Sequence, residues 1–140
     1  MNQALLSSKT CEWETPKWLF DKLDALYHFD IDVCATTKNA KCPIFFTRSF
    51  DGLSVEWRGR CWMNPPYGRE VGAWIKKAYE SVKLGKAELV VCLLPARTDT
   101  RWFHEYCVRG EIEFLRGCLK FGGAKNSAPF PSMIVVFRKL

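Results

Sequence analysis

Leu19, Phe20, Leu23, Leu26 and Tyr27 recur three and four positions apart, and this stripe predicts a first helix over residues 16–28. Thr15-Pro16 stands at its start, with Thr15 expected as N-cap and Pro16 at the first helical position, where its missing N–H costs nothing. Phe29-Asp30-Ile31-Asp32-Val33 alternates apolar and polar, which predicts a short strand ending near Cys34-Ala35. A polar loop over residues 36–41 leads to a second short strand at Pro43-Ile44-Phe45-Phe46-Thr47. Asp51-Gly52 marks a turn, and the Arg58-Gly59-Arg60 turn introduces a third strand at Cys61-Trp62-Met63.

Val71, Trp74, Ile75, Ala78 and Val82 again keep helical spacing, predicting an amphipathic helix over residues 70–84 that Gly85 stops. Leu89-Val90-Val91-Cys92-Leu93-Leu94 is apolar on both alternating faces, as expected of a central parallel strand covered by helices, and Pro95 is expected to end it. Thr98 is placed to cap a helix running to about Cys107. Strands follow around residues 112–115 and 133–137, separated by a Gly122-Gly123 loop that also carries Pro129 and Pro131. The alternation predicts an α/β fold: a mainly parallel sheet with helices on both faces and a C-terminal antiparallel hairpin.

At 140 residues the chain has room for one core, hiding roughly 68% of the surface of the extended chain. The expectation is a single compact domain over residues 1–140 with no separate target-recognition domain. Twenty-one Lys and Arg against fifteen Asp and Glu give a net charge of +6, which favours encounter with a polyanion and also serves plain solubility. Seven cysteines, an odd number with no CxxC pair, point to free and mostly buried thiols in a reducing compartment, not to a disulfide framework or structural metal. No signal-peptide pattern and no 18-residue apolar run is present, so the expected location is the cytoplasm, without membrane association.

Chemistry concentrates at Asn64-Pro65-Pro66-Tyr67, between the third strand and the second long helix. The carboxyl ends of strands are where open α/β sheets place ligands. The prolines restrict the turn and leave their carbonyls as acceptors only. The side-chain oxygen of Asn64 and the carbonyl of Pro65 can then accept both hydrogens of one NH2 group, while Tyr67 offers a face for a planar ring. Such a clamp suits methyl transfer to an aromatic amine, whose lone pair is delocalised into the ring: paired acceptors favour a more tetrahedral nitrogen and stabilise the charge that develops there. The same four residues can also form a plain rigid turn.

The chain resembles the S-adenosylmethionine-dependent amino-methyltransferases, and more closely the small DNA N6-adenine methyltransferases of phages and prophages. The resemblance runs through Trp13-Glu14-Thr15-Pro16, the strand to Cys34-Ala35, Asp51-Gly52-Leu53, Trp62 to Tyr67, Leu94-Pro95-Ala96-Arg97-Thr98-Asp99-Thr100, Phe114-Leu115-Arg116-Gly117 and Phe121. It implies a Rossmann-like methyltransferase fold, S-adenosylmethionine as cofactor and DNA as partner. Asn64, Pro65, Pro66 and Tyr67 become the catalytic set, with Asn64 and Pro65 holding the adenine N6 amine and Tyr67 stacking on a flipped base. Thr15 and Pro16 match a segment that covers the cofactor, Asp32, Cys34 and Ala35 the cofactor-binding strand, and Asp51 the acidic position that reads the cofactor's adenine. One departure is visible: Asp32-Val33-Cys34-Ala35-Thr36-Thr37 contains none of the glycines common after the first strand of methyltransferases.

Arg97 and Arg101, with Asp99, follow the buried strand at the same sheet edge, where they serve either DNA phosphates or the next helix. Lys120, Lys125 and Asn126 flank the glycine loop and serve either the phosphate backbone or a surface connection. His104 has no neighbouring metal ligands, and no metal is expected. Trp13 is expected near the cofactor; Trp18, Trp57, Trp74 and Trp102 are expected in packing. The acceptor pair alone does not select adenine: a protein glutamine, guanine N2 in RNA and cytosine N4 in DNA satisfy it equally, and a catalytically idle DNA-binding module is the alternative of another class. Target specificity is expected to be short, relaxed or supplied by a homodimer.

Overall fold

The computed structural model describes residues 13–47, 50–122 and 126–139. Helix α1 (Lys17–Tyr27) leads into strand β1 (Ile31–Asp32) and strand β2 (Ile44–Phe45). A 3-10 turn (Gly52–Ser54) precedes strand β3 (Gly59–Met63), helix α2 (Val71–Lys83) and strand β4 (Ala87–Pro95). The short helix α3 (Arg101–Glu105), a second 3-10 turn (Cys107–Arg109), and strands β5 (Glu111–Phe114) and β6 (Ser132–Arg138) complete the order.

The six strands form one sheet in the order β2-β1-β3-β4-β6-β5. The β2-β1, β1-β3 and β3-β4 pairs are parallel, while β6 runs antiparallel to both β4 and β5. This mixed, mostly parallel sheet flanked by helices is a Rossmann-like α/β arrangement. Strand β4 is central and fully apolar along Leu89 to Leu94 because it is covered on both faces. Its neighbours differ, however: parallel β3 on one side and antiparallel β6 on the other.

Register shows how the faces are covered. Cys61 pairs with Val90, and Val90 with Phe137, so these three side chains share one face; Trp62 points to the other. Phe20 of α1 lies 5.5 Å edge-on from the Trp62 ring, and Tyr79 of α2 lies 5.8 Å edge-on from Phe137. The two long helices therefore pack on opposite faces. In α2 the whole predicted stripe of Val71, Trp74, Ile75, Ala78 and Val82 is buried, whereas in α1 only Leu19, Phe20 and Leu23 are, Tyr27 being half-buried and Leu26, contrary to expectation, exposed near the end of the helix. Gly85, at φ 77°, closes α2 as expected, with its N–H donating to the Val82 carbonyl at 3.0 Å.

Two local expectations are corrected and a third holds. Helix α1 has Pro16 as its N-cap residue and no side-chain cap, because the Thr15 hydroxyl faces Asn64 instead. The cap of α3 is Thr100, which accepts from the Phe103 N–H at 3.3 Å and donates to the Arg97 carbonyl at 2.8 Å, so that helix starts later than a Thr98 cap implies. Pro95 ends β4 as expected, as its last paired residue, opposite Ser132. At that point β3 has already stopped pairing, at Met63 opposite Cys92, so no ladder partner needs the missing N–H of Pro95.

Candidate active site

Because β1, β2, β3 and β4 are parallel, their carboxyl ends share one edge. A cavity of about 230 Å3 opens there, and its wall includes Asp32, Cys34 and Ala35 after β1, Asp51 and Gly52 before β3, and Asn64, Pro65 and Pro66 after β3. Glu70, the N-cap residue of α2, and Trp74 one turn on close one side, and residues 13–15 cross another. The fold thus unites Thr15, Asp32, Cys34, Ala35, Asp51, Asn64, Pro65 and Pro66 around one space, together with Trp13. Tyr67 and Pro16 are not in that wall.

Asn64 directs its amide nitrogen to the Trp13 carbonyl and to the Thr15 hydroxyl, the latter at 3.0 Å. Its side-chain oxygen is buried and has no hydrogen-bond partner among the described residues. An orphaned buried carbonyl is uncommon in folded proteins, and this one belongs to a residue that lines the cavity.

Tyr67 is buried, and its hydroxyl donates to the Leu93 carbonyl at 3.0 Å. Burial pushes the phenol far above its ordinary pKa, so it stays protonated. Its ring meets Phe121 and Phe130 at centroid distances of 6.4 and 5.7 Å, and Trp13 packs on the same two rings at 5.3 and 5.4 Å. This aromatic cluster flanks the Asn64 corner. Phe130 was not legible as a site residue: a lone aromatic between prolines carries no periodic signal, and only the β6 register brings it there.

Asp32 resolves the missing glycines. Its carboxylate accepts from the backbone N–H of Cys34 at 3.2 Å and of Lys41 at 3.0 Å, so one side chain gathers both ends of the loop. Thr36 and Asn39 tighten its middle by exchanging side-chain-to-backbone bonds of 2.6 and 3.1 Å. Side-chain acceptors here do the work that left-handed glycines do elsewhere.

Burial raises the Asp32 pKa to about 6, against the partial relief of those two N–H donors and of Lys41. Between about pH 4 and 6 the native state therefore holds a proton that the unfolded chain has released. The contribution of this group is complete below that window and falls as pH rises through it, by about 3 kcal/mol in all. Urea unfolding of the wild type and of Asp32→Asn should show this as a stability difference that drifts across pH 4 to 7; a constant difference would remove the raised pKa from the account.

Three of the cysteines are too buried to serve as nucleophiles. Cys42, Cys61 and Cys107 are buried, and desolvation pushes each thiol up to about 12. Cys42, Cys61, Cys92, Cys107 and Cys118 are free thiols; Cys11 lies outside the described residues.

The basic candidates divide. Arg97 is exposed just beyond the carboxyl end of β4. Arg101 is exposed and pairs with Glu105 one turn on, at 3.2 Å, a surface pair of small energetic weight. Lys120 is exposed in the connection between β5 and β6, which leaves β5 at Phe114 opposite Met133 and enters β6 opposite Pro95. That connection therefore lies over the same edge as Asn64. Lys125 lies outside the described residues.

A model of the family "DNA N-6-adenine-methyltransferase (Dam)" matches residues 3–140 of the chain. A DNA N-6-adenine-methyltransferase of Haemophilus phage HP1 (strain HP1c1) is 37% identical over 106 residues, which span 74% of this chain and 60% of the phage protein. The chain thus covers less than two thirds of that relative. With the match extending over nearly its whole length, the chain belongs to the DNA N-6-adenine-methyltransferase (Dam) family.

Proposed function

We propose that this protein transfers a methyl group from S-adenosylmethionine to the N6 amino group of adenine in DNA. The observation that carries the reading is the side-chain oxygen of Asn64, buried and without a partner among the described residues, on a residue that lines a cavity shared with Asp32, Cys34, Ala35 and Asp51. S-adenosylmethionine supplies a methyl group already activated as a sulfonium. The chain supplies position and charge stabilisation: Asn64 and Pro65 accept the amine hydrogens, turn the nitrogen lone pair toward the methyl and stabilise the positive charge as it forms. The nitrogen then sheds one proton to solvent. An amine reaches the Asn64 oxygen only when the residues over it move aside, since that atom has no exposed surface.

Thr15, Pro16, Asp32, Cys34, Ala35 and Asp51 are assigned to the cofactor side, in line with the one cavity that most of them share. Asp32 would act there chiefly by shaping the loop, both of its oxygens being engaged by backbone donors. Tyr67 is assigned to the flipped base, but its ring is buried with that of Phe121, so within this cluster Trp13 and Phe130, both half-buried, are the rings that can face a base first. Arg97, Arg101 and Lys120, all exposed, are assigned to phosphates, with Lys125 assigned by sequence alone. Such contacts hold the duplex without reading it.

The test is methyl transfer from labelled cofactor to DNA, RNA and protein, followed by nucleoside and peptide mass analysis. N6-methyladenine from DNA is expected. Label in N4-methylcytosine, in RNA guanine or in glutamine would overturn the adenine assignment, and salt-sensitive DNA binding without cofactor binding would mark an idle module.

A further inference from the structure

A carboxamide has two orientations of nearly equal shape, one presenting an acceptor and the other two donors. Only the first can serve an incoming NH2 group, because the second sets donor against donor. The orientation at Asn64 is determined by its surroundings. Its nitrogen meets the Trp13 carbonyl and the Thr15 hydroxyl; reversal would set oxygen against the Trp13 carbonyl and leave the NH2 where the orphaned oxygen now lies.

We propose that the Trp13 carbonyl, which can only accept, selects this orientation of the Asn64 amide, and that the Thr15 hydroxyl, the second acceptor of its NH2 group, is a positioning device that holds the amide there with its oxygen toward the substrate amine. Thr15 is 3% exposed, so water does not compete for its hydroxyl. That hydroxyl is also withheld from the cap of α1, the use a threonine before a helix ordinarily serves. The segment bearing it is tied down on three sides. The Gly122 N–H donates to the Glu14 carbonyl at 2.9 Å, the Trp13 ring packs on Phe121 and Phe130, and the Glu14 carboxylate lies 3.8 Å from the Lys41 ammonium. A strap anchored to two other loops can hold an amide where a free hydroxyl would drift. The inference rests on the acceptor role given to Asn64 above.

The experiment compares Thr15→Val, Thr15→Ser and Asn64→Ala. The Asn64 side-chain NH2 resonances are recorded in cofactor-free protein, and kcat and KM are measured with DNA. Thr15→Val, which keeps the shape and removes the hydroxyl, should shift those resonances, speed their exchange with water and lower kcat about tenfold at little change in KM for DNA. Thr15→Ser should restore both readouts; Thr15→Ala is read in the same way if the valine variant does not fold. Unchanged amide signals in Thr15→Val overturn the positioning role alone. A raised KM for S-adenosylmethionine with unmoved signals does so too, and assigns Thr15 to the cofactor. Full turnover by Asn64→Ala overturns the acceptor reading and this proposal with it.

Discussion

Asn64→Ala should lower methyl transfer by about 10²–10³-fold, the usual loss when one preorganised group facing developing charge is removed. The variant should stay folded. It gives up hydrogen bonds to Trp13 and Thr15, each worth about 1 kcal/mol net, but it also removes an unsatisfied buried oxygen. Single-turnover methylation beside a thermal melt separates the two effects. Asn64→Asp should not rescue, although it keeps an acceptor, because its second oxygen would face the Trp13 carbonyl. Near wild-type turnover by a folded Asn64→Ala protein would remove this residue from the chemistry.

Gly52→Ala is expected to destabilise the fold by about 3 kcal/mol, at the upper end for forcing one methyl group into a packed site. A Cβ at Gly52 would lie 2.6 Å from the Val33 carbonyl oxygen and 3.0 Å from the Trp74 ring. Neither side has room to yield. Val33 is held by its N–H, which donates to the Trp62 carbonyl at 3.0 Å. Trp74 stacks on the fully buried Trp57, whose indole N–H donates to the Gly52 carbonyl at 2.7 Å. Because Gly52 and Trp74 both line the cavity, the same substitution should weaken cofactor binding. Urea midpoints and cofactor titration measure the two effects, and an alanine variant as stable as wild type would show that the turn relaxes.

The parts of the fold that were legible in the sequence share one property, a face that repeats. Both long helices show their buried stripes at three- and four-residue spacing, and β4 shows the unbroken apolar run of a strand covered on both faces. Each lies within one or two residues of its expected span. The ends were harder, because a cap depends on where a hydroxyl points. Thr15 and Thr98 both look like caps in one dimension, yet Thr15 turns to Asn64 and Thr100 takes the α3 cap.

The Asn64 corner was legible because its chemistry is contiguous: one strand end, two prolines and an aromatic ring suffice to suggest an acceptor pair. Its environment was not. Asp32 reads as a ligand carboxylate from its place at a strand end, but whether its oxygens face a ligand or the N–H groups of Cys34 and Lys41 depends on how a nine-residue loop returns on itself. The aromatic cluster of Trp13, Tyr67, Phe121 and Phe130 draws on four separate stretches of chain, and no local period links them.

Local order and chemical type were thus the sequence's to determine: which segments bury a face, where the sheet carries a carboxamide and two prolines, and that seven thiols lie mostly within apolar runs. Both follow from hydrophobic period and side-chain inventory, which are properties of neighbours along the chain. The tertiary structure alone decided strand order, which loops meet at the cavity and which way the Asn64 amide faces. The amide faces contacts 49 and 51 positions away along the chain, and a hydrogen bond across such a distance is selected by the packing of the whole sheet.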